Sequence, residues 1–109
     1  NTITVSKRTA FLIFKSQELD FEKAVKTVKG FYDKRSKYVH EGLEVDSECY
    51  NRIKKVCLSV FLIYLQLNKT EQSQSLSTKD WLKLIDYGVA ALEASEEVSS
   101  ELYLKCGIQ

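Results

Sequence analysis

Proline is missing from this sequence of 109 residues, and glycine occurs only four times. A proline inside a helix costs about 3 kcal/mol, so a chain without proline is free to form long uninterrupted helices. Methionine is also missing, which indicates that residue 1 is not a native start. The length of the chain predicts a single domain over residues 1–109. The missing methionine indicates that this domain is excised from a longer chain, with a fused upstream domain or a regulatory partner.

Cysteine and histidine are scarce, with three cysteines and one histidine. Cys49, Cys57 and Cys106 form no CxxC pair, and none of them stands at metal-ligand spacing from the histidine. We therefore expect no metal, no cofactor and three reduced core cysteines in a cytoplasmic protein. The longest apolar run, Val56–Leu67, is too short for a bilayer, which needs about 20 residues, so no membrane partner is expected.

Apolar residues recur at three- and four-residue steps, which predicts an all-α fold, an antiparallel bundle of four to five helices. The predicted helices cover Ser6–Lys15, Ser16–His40, Asp46–Leu67 and Ser77 to about Glu97, with a last turn at Leu102–Leu104. The β-branched start, Ile3–Val5, fits either a strand fragment or a frayed lead-in, and the polar stretch Asn68–Ser77 is typical of a loop. The third helix is apolar around most of its circumference, so it is either central in the bundle or faces a partner.

The net charge of +1 hides an asymmetry along the chain. Residues 1–40 hold nine basic and four acidic residues, whereas residues 41–109 hold seven basic and eleven acidic ones. Three cations and two tyrosines cluster at one end of the second predicted helix, namely Tyr32, Lys34, Arg35, Lys37 and Tyr38. Such a cluster can bind a phosphate backbone and stack a base. Lysines on the outer face of an amphipathic helix also serve solubility alone.

Arg35 and the only histidine, His40, are the residues best suited to catalysis. Arg35 follows Val28 by seven residues and Phe21 by fourteen, which places it on the apolar stripe of the helix. Five residues turn a helix by about 140° net, so the two side chains converge only if the helix unwinds near His40. An imidazole can transfer protons, and a guanidinium can hold a phosphate. The alternatives are a cap for His40 and, for Arg35, an ion pair with Asp33 or across the bundle.

The segment from Tyr32 to Gly42 reads YDKRSKYVHEG and resembles the signature of the HEPN superfamily, in particular its ApeA-like branch. The resemblance implies an all-α bundle that forms a homodimer. In active members this bundle is a metal-independent endoribonuclease, used in phage defence or toxin–antitoxin conflict. By resemblance, Arg35 orients and neutralises the RNA phosphate and His40 moves protons while the ribose 2′-OH attacks.

The flanking residues of this motif supply the remaining site candidates. The auxiliary candidates are Ser36, Asp33 and Glu41, and the RNA-binding candidates are Lys34, Lys37 and Tyr38. Glu41 separates His40 from Gly42, where the branch often has the two directly joined, and its carboxylate either repels RNA or tunes the histidine. Three functions stay open: an endoribonuclease, a non-catalytic dimerisation or adaptor module, and a bundle that binds nucleic acid without cleaving it.

Overall fold

The computed structural model describes residues 1–42, 46–69 and 77–108, without the side chains of Tyr38 and residues 66–69. This part of the chain consists of five α-helices and their connections, with no strand. The helices are α1 (Thr2–Ile13), α2 (Phe21–Glu41), α3 (Ser47–Lys69), α4 (Thr78–Glu93) and α5 (Ser100–Lys105). The prediction of an all-α bundle with four to five helices is thereby confirmed.

The first helix begins earlier than the sequence pattern predicts. The side chain of Asn1 caps it, because its Oδ1 accepts a hydrogen bond from the backbone N–H of Thr4 at 3.0 Å. Ile3–Val5 therefore lies in α1, and the interpretations as a strand fragment or a frayed lead-in were wrong. A good cap satisfies one of the free N–H groups of the first turn, which outweighs the slight helix aversion of β-branched residues.

The second helix begins later than predicted, at Phe21 instead of Ser16. Asp20 is the residue that caps it, since its Oδ1 accepts from the N–H of Lys23 at 2.7 Å. The hydroxyl of Ser16 donates instead to the carbonyl oxygen of Ile13, in the turn that ends α1.

The C-terminal region divides into two helices. Ser77 caps α4 as predicted, by accepting from the N–H of Asp80 at 3.1 Å. The helix ends at Glu93, short of the predicted Glu97, and Ser95 follows with a φ of 59°. The predicted last turn lies within α5. Of the predicted loop, residues 68–69 belong to α3, and residues 70–76 lie outside the described part of the chain.

The core forms around α1, which packs against α2, α3 and α4. Phe11 and Ile13 have no exposed surface, and the Phe11 ring stacks on Tyr103 with 5.6 Å between centroids. On the solvent side, Arg8 donates to both carboxylate oxygens of Asp86 at 2.9 Å, which lowers the pKa of Asp86. The central helix is thus α1, so of the two alternatives for the apolar third helix, the central position was wrong.

The end of α2 projects beyond this core. Among the described side chains of α2, Phe31 is the last that packs against the core cluster, and α1 has only 12 residues against 21 in α2. The radius of gyration is 14.7 Å, larger than the value of about 13 Å that is typical at this length. The segment that resembles the HEPN signature therefore stands on a projecting helix end.

The cysteines are free, and they differ in exposure. Cys49 and Cys106 are buried, as predicted, whereas Cys57 is exposed on α3, so its predicted place in the core was wrong. In the described residues, no group of three or more His, Cys, Asp or Glu side chains could hold a metal ion. None of the helices in these ranges is both long enough and apolar enough to cross a membrane.

Candidate functional site

Arg35 and His40 stand on one uninterrupted helix. The helix α2 continues through Glu41, and Gly42 ends it with a φ of 68°, a conformation that glycine adopts at little cost. The unwinding that would let the two side chains converge within one chain does not occur. They are separated by about 140° around the helix and about 7.5 Å along it.

Both side chains are exposed to solvent. Arg35 continues the apolar stripe of α2, as predicted. At this position, however, α2 already extends beyond the end of α1. Among the residues that the structure describes, no hydrogen bond or ion pair holds either side chain, so the expected ion pair of Arg35 with Asp33 or across the bundle is not formed there. Both groups are therefore available to a ligand or to a second chain.

The two residues mark the margins of a single helical face. Its members recur at the three- and four-residue steps of one helix side, and we call this face the terminal strip: Tyr32, Arg35, Ser36, Val39 and His40. Val39 is 59% exposed and Tyr32 is 37% exposed. A face that holds exposed apolar groups between two unpaired polar groups is typical of a contact surface.

The other motif residues lie mostly away from the terminal strip. Asp33, two turns before His40, stays near one margin of the strip. Lys34, Lys37 and Glu41 lie on the opposite side of α2, and all four side chains are exposed. The side chain of Tyr38, a predicted RNA-binding residue, lies outside what the structure describes. The structure thus groups Ser36 with Arg35 and His40, and it separates the lysines from them.

A cleft of about 380 Å³ lies between α2 and α3 on that opposite side. Its basic lining residues are Lys23, Lys26, Lys34 and Arg52, and its acidic ones are Asp46 and Glu48. We call it the basic cleft. Among the described residues that line it, cationic side chains outnumber carboxylates by four to two, so this lining favours an anion.

Sequence reasoning missed the basic cleft. The lysine-rich second helix, which includes Lys23 and Lys26, was a predicted nucleic-acid-binding surface of the non-cleaving alternative, but Arg52 was not singled out. The spacing of residues 23, 26, 30 and 34 along one helix side is a signal that could have marked a row of cations around Gly30. The contribution of α3 depends on how the two helices pack, which no local pattern in the chain encodes.

An exposed apolar face on α3 is the third surface feature. Its largest members, 38% to 57% exposed, are Leu58, Phe61, Leu62 and Leu65, and we call them the α3 stripe. The opposite side of the helix supplies Val56 to the core. Of the two predicted roles of the third helix, the outward-facing one agrees with this arrangement.

Comparisons with known proteins add no relative. No protein-family model matches the chain, and no curated protein or solved structure matches it. The resemblance to the HEPN superfamily therefore depends on the segment from Tyr32 to Gly42 and on the helix order.

Proposed function

We propose that this domain is a HEPN-type, metal-independent endoribonuclease that acts as a homodimer in the cytoplasm, in phage defence or toxin–antitoxin conflict. One observation carries the proposal. Arg35 and His40 are exposed and unpaired within the described residues, at the two margins of the terminal strip, whose apolar side chains Tyr32 and Val39 the domain itself leaves partly uncovered. A second copy that covers Tyr32 and Val39 brings catalytic groups of both chains to one place.

The spacing of the motif fits a twofold contact. In a dimer with twofold symmetry, residue i of one chain meets residue j of the other, and the reverse contact occurs as well. Two α2 ends that cross in antiparallel fashion near residues 37–38 bring Arg35 level with the partner's His40 along the contact. Each dimer then holds two equal sites, and each site takes its arginine and its histidine from different chains.

The chemistry of such a site needs no metal and no water. The imidazole of His40 accepts the proton of the ribose 2′-OH, and the resulting oxygen attacks the adjacent phosphorus. Arg35 donates hydrogen bonds to the non-bridging oxygens and stabilises the charge that develops on them. The P–O5′ bond breaks, the 5′ oxygen takes up the proton that the His40 imidazolium now gives back, and the products are a 2′,3′-cyclic phosphate and a 5′-hydroxyl end. Ser36 lies between the two residues and can donate to the same phosphate.

The test is cleavage of end-labelled single-stranded RNA in EDTA. We expect the wild-type chain to produce 2′,3′-cyclic phosphate ends, and we expect His40→Ala and Arg35→Ala each to lower the rate by at least about 100-fold. Both side chains are exposed, so neither change should alter the melting temperature.

The matched control is Lys83→Ala, which removes an exposed cation from α4 without touching α2. It should cleave like the wild type. Val39→Asp places a charge in the terminal strip and should abolish both the dimer and the cleavage. Equal cleavage by wild type and His40→Ala, or no cleavage by a verified dimer on any RNA, would exclude the proposal.

A second function is favoured by the α3 stripe. Its four large apolar side chains face solvent, as in a non-catalytic module that binds another helix or dimerises through α3. In that case Leu62→Asp would abolish assembly, and Val39→Asp would leave it intact. The catalytic proposal predicts instead that Val39→Asp abolishes the dimer and that Leu62→Asp leaves it intact.

A further inference from the structure

We propose that the basic cleft between α2 and α3 binds the phosphate backbone of single-stranded RNA. This proposal rests on the endoribonuclease function and names a substrate-binding surface separate from the terminal strip. The cleft is an open groove of about 380 Å³ between two helices, the kind of channel along which nucleic-acid backbones run.

The cations of the cleft form a row. Lys23, Lys26 and Lys34 line it from α2, over about 16 Å of helix. Lys37 continues the same side of the helix one turn beyond Lys34. A row of ammonium groups at this spacing neutralises successive phosphates, which is the main source of affinity in non-specific nucleic-acid binding.

The carboxylates of the cleft are weak competitors for these lysines. Asp46 caps α3, because its Oδ1 accepts from the N–H of Cys49 at 2.7 Å. Its other oxygen lies 3.9 Å from Lys34 Nζ, and both side chains are more than half exposed. An exposed pair at this distance contributes little, so a phosphate can replace it. Glu48 is the other acid among the described residues of the lining.

Two of the residues that line the cleft, Phe31 and Arg52, favour RNA over an acidic peptide as its ligand. The guanidinium carbon of Arg52 lies 5.9 Å from the centroid of the Phe31 ring, and both residues line the cleft. Planar guanidinium and aromatic groups are the surfaces on which unpaired bases stack. Gly30 leaves room beside them, since a Cβ there would have no neighbour within 4 Å.

The test measures binding separately from cleavage. A fluorescent RNA of about eight nucleotides, which is within the range of one small binding surface, is titrated in EDTA with the His40→Ala chain to prevent cleavage. Adding Lys23→Ala and Lys26→Ala should raise the Kd roughly tenfold. It should also reduce the slope of log affinity against log salt concentration by about 0.7 per lysine removed. The matched control, Lys79→Ala with Lys83→Ala, removes the same charge from α4 and should leave Kd and slope near their starting values.

A steric variant separates the cleft from simple charge. Gly30→Leu keeps every cation but fills the space beside Phe31, so it should also weaken RNA binding several-fold, while Gly30→Ala should not. Equal loss in the cleft pair and in the α4 pair would overturn the proposal, because it would show a general charge effect. Competition by polyglutamate as strong as that by unlabelled RNA would also overturn it and assign the cleft to acidic peptides.

These outcomes are distinct from those of the proposed function. Failure of His40→Ala to lower cleavage would remove the catalytic proposal and leave the binding result standing. Unchanged binding in the cleft variants would remove the cleft proposal and leave the Arg35–His40 chemistry intact.

Discussion

Cys106 is a buried residue whose ionisation is coupled to folding. It has no exposed surface, and burial raises the pKa of its thiol from about 9 to about 11. Its carbonyl oxygen accepts a hydrogen bond from the indole N–H of Trp81 at 3.1 Å, which fixes the C-terminal segment against α4. The thiol is therefore a core group that stays neutral in the folded chain.

This raised pKa predicts a loss of stability in alkali. The folded state holds the thiol proton more tightly than the unfolded state. The contribution of the protonated thiol to the free energy of unfolding is therefore complete below pH 9 and is lost as the pH rises to about 11. The free energy of unfolding should fall by up to about 1.4 kcal/mol per pH unit in this window. Urea unfolding at pH 8 to 10.5, followed by Trp81 fluorescence, measures it.

The control for this prediction is a pair of alanine variants. Cys106→Ala should flatten the alkaline decline, while Cys57→Ala, at an exposed thiol, should leave it unchanged. Part of the decline should persist in Cys106→Ala, because burial also raises the pKa of Tyr103. Identical pH curves for Cys106→Ala and wild type would show that the Cys106 thiol does not couple to folding.

At the scale of the helices, two glycines in helix interiors have opposite roles. Gly88 of α4 lies against the ring of Phe11, and a Cβ there would overlap that ring. Gly30 of α2 faces open space. The close approach of α4 to the central helix therefore depends on the missing side chain at one glycine and not at the other.

Alanine substitution at these two positions should change stability in opposite directions. Gly30→Ala should raise the free energy of unfolding by about 0.5–1 kcal/mol, through helix propensity alone. Gly88→Ala should lower it by about 1–3 kcal/mol, because the added methyl group forces Phe11 out of place. Urea midpoints measure both. A neutral Gly88→Ala would mean that α4 and α1 are not in close contact.

The helices themselves could be predicted from sequence because their apolar periodicity is local. The middle of each predicted helix lies in an observed one, and Ser77 caps α4 as its side chain indicates. The central position of α1 could not be predicted, since it depends on how many helices pack against a short apolar segment. The apolar third helix looked more central in sequence, yet the α3 stripe faces outward.

In the candidate site, too, the residues themselves could be predicted from the sequence, whereas their arrangement in space could not. Arg35 and His40 were identified from their residue types and from the resemblance of their segment, and the structure places both on an exposed helix end. Their separation on an intact helix follows from the spacing of five residues, but the pattern around Gly42 also allowed unwinding, so the sequence did not decide whether α2 stays intact through Glu41. The basic cleft was missed since Arg52 comes from a different helix.

At the scale of the whole molecule, near-neutral charge results from cancellation. The basic first 40 residues supply the terminal strip and three of the four cations of the basic cleft, and the acidic remainder supplies α4 and α5. Opposite sides of α2 thus carry two separate surfaces. We propose that the terminal strip binds a second copy and that the basic cleft binds RNA. A dimer through the strip leaves both clefts open.

The most direct test of the account is a complementation experiment between inactive chains. Arg35→Ala and His40→Ala are co-expressed with different tags, and the mixed dimer is purified through both tags. One of its two sites then lacks both groups, while the other combines an intact Arg35 with the partner's intact His40. The mixed dimer should cleave RNA at roughly half the wild-type rate, although each variant alone is inactive. A mixed dimer as inactive as either variant alone would contradict a site shared between two chains.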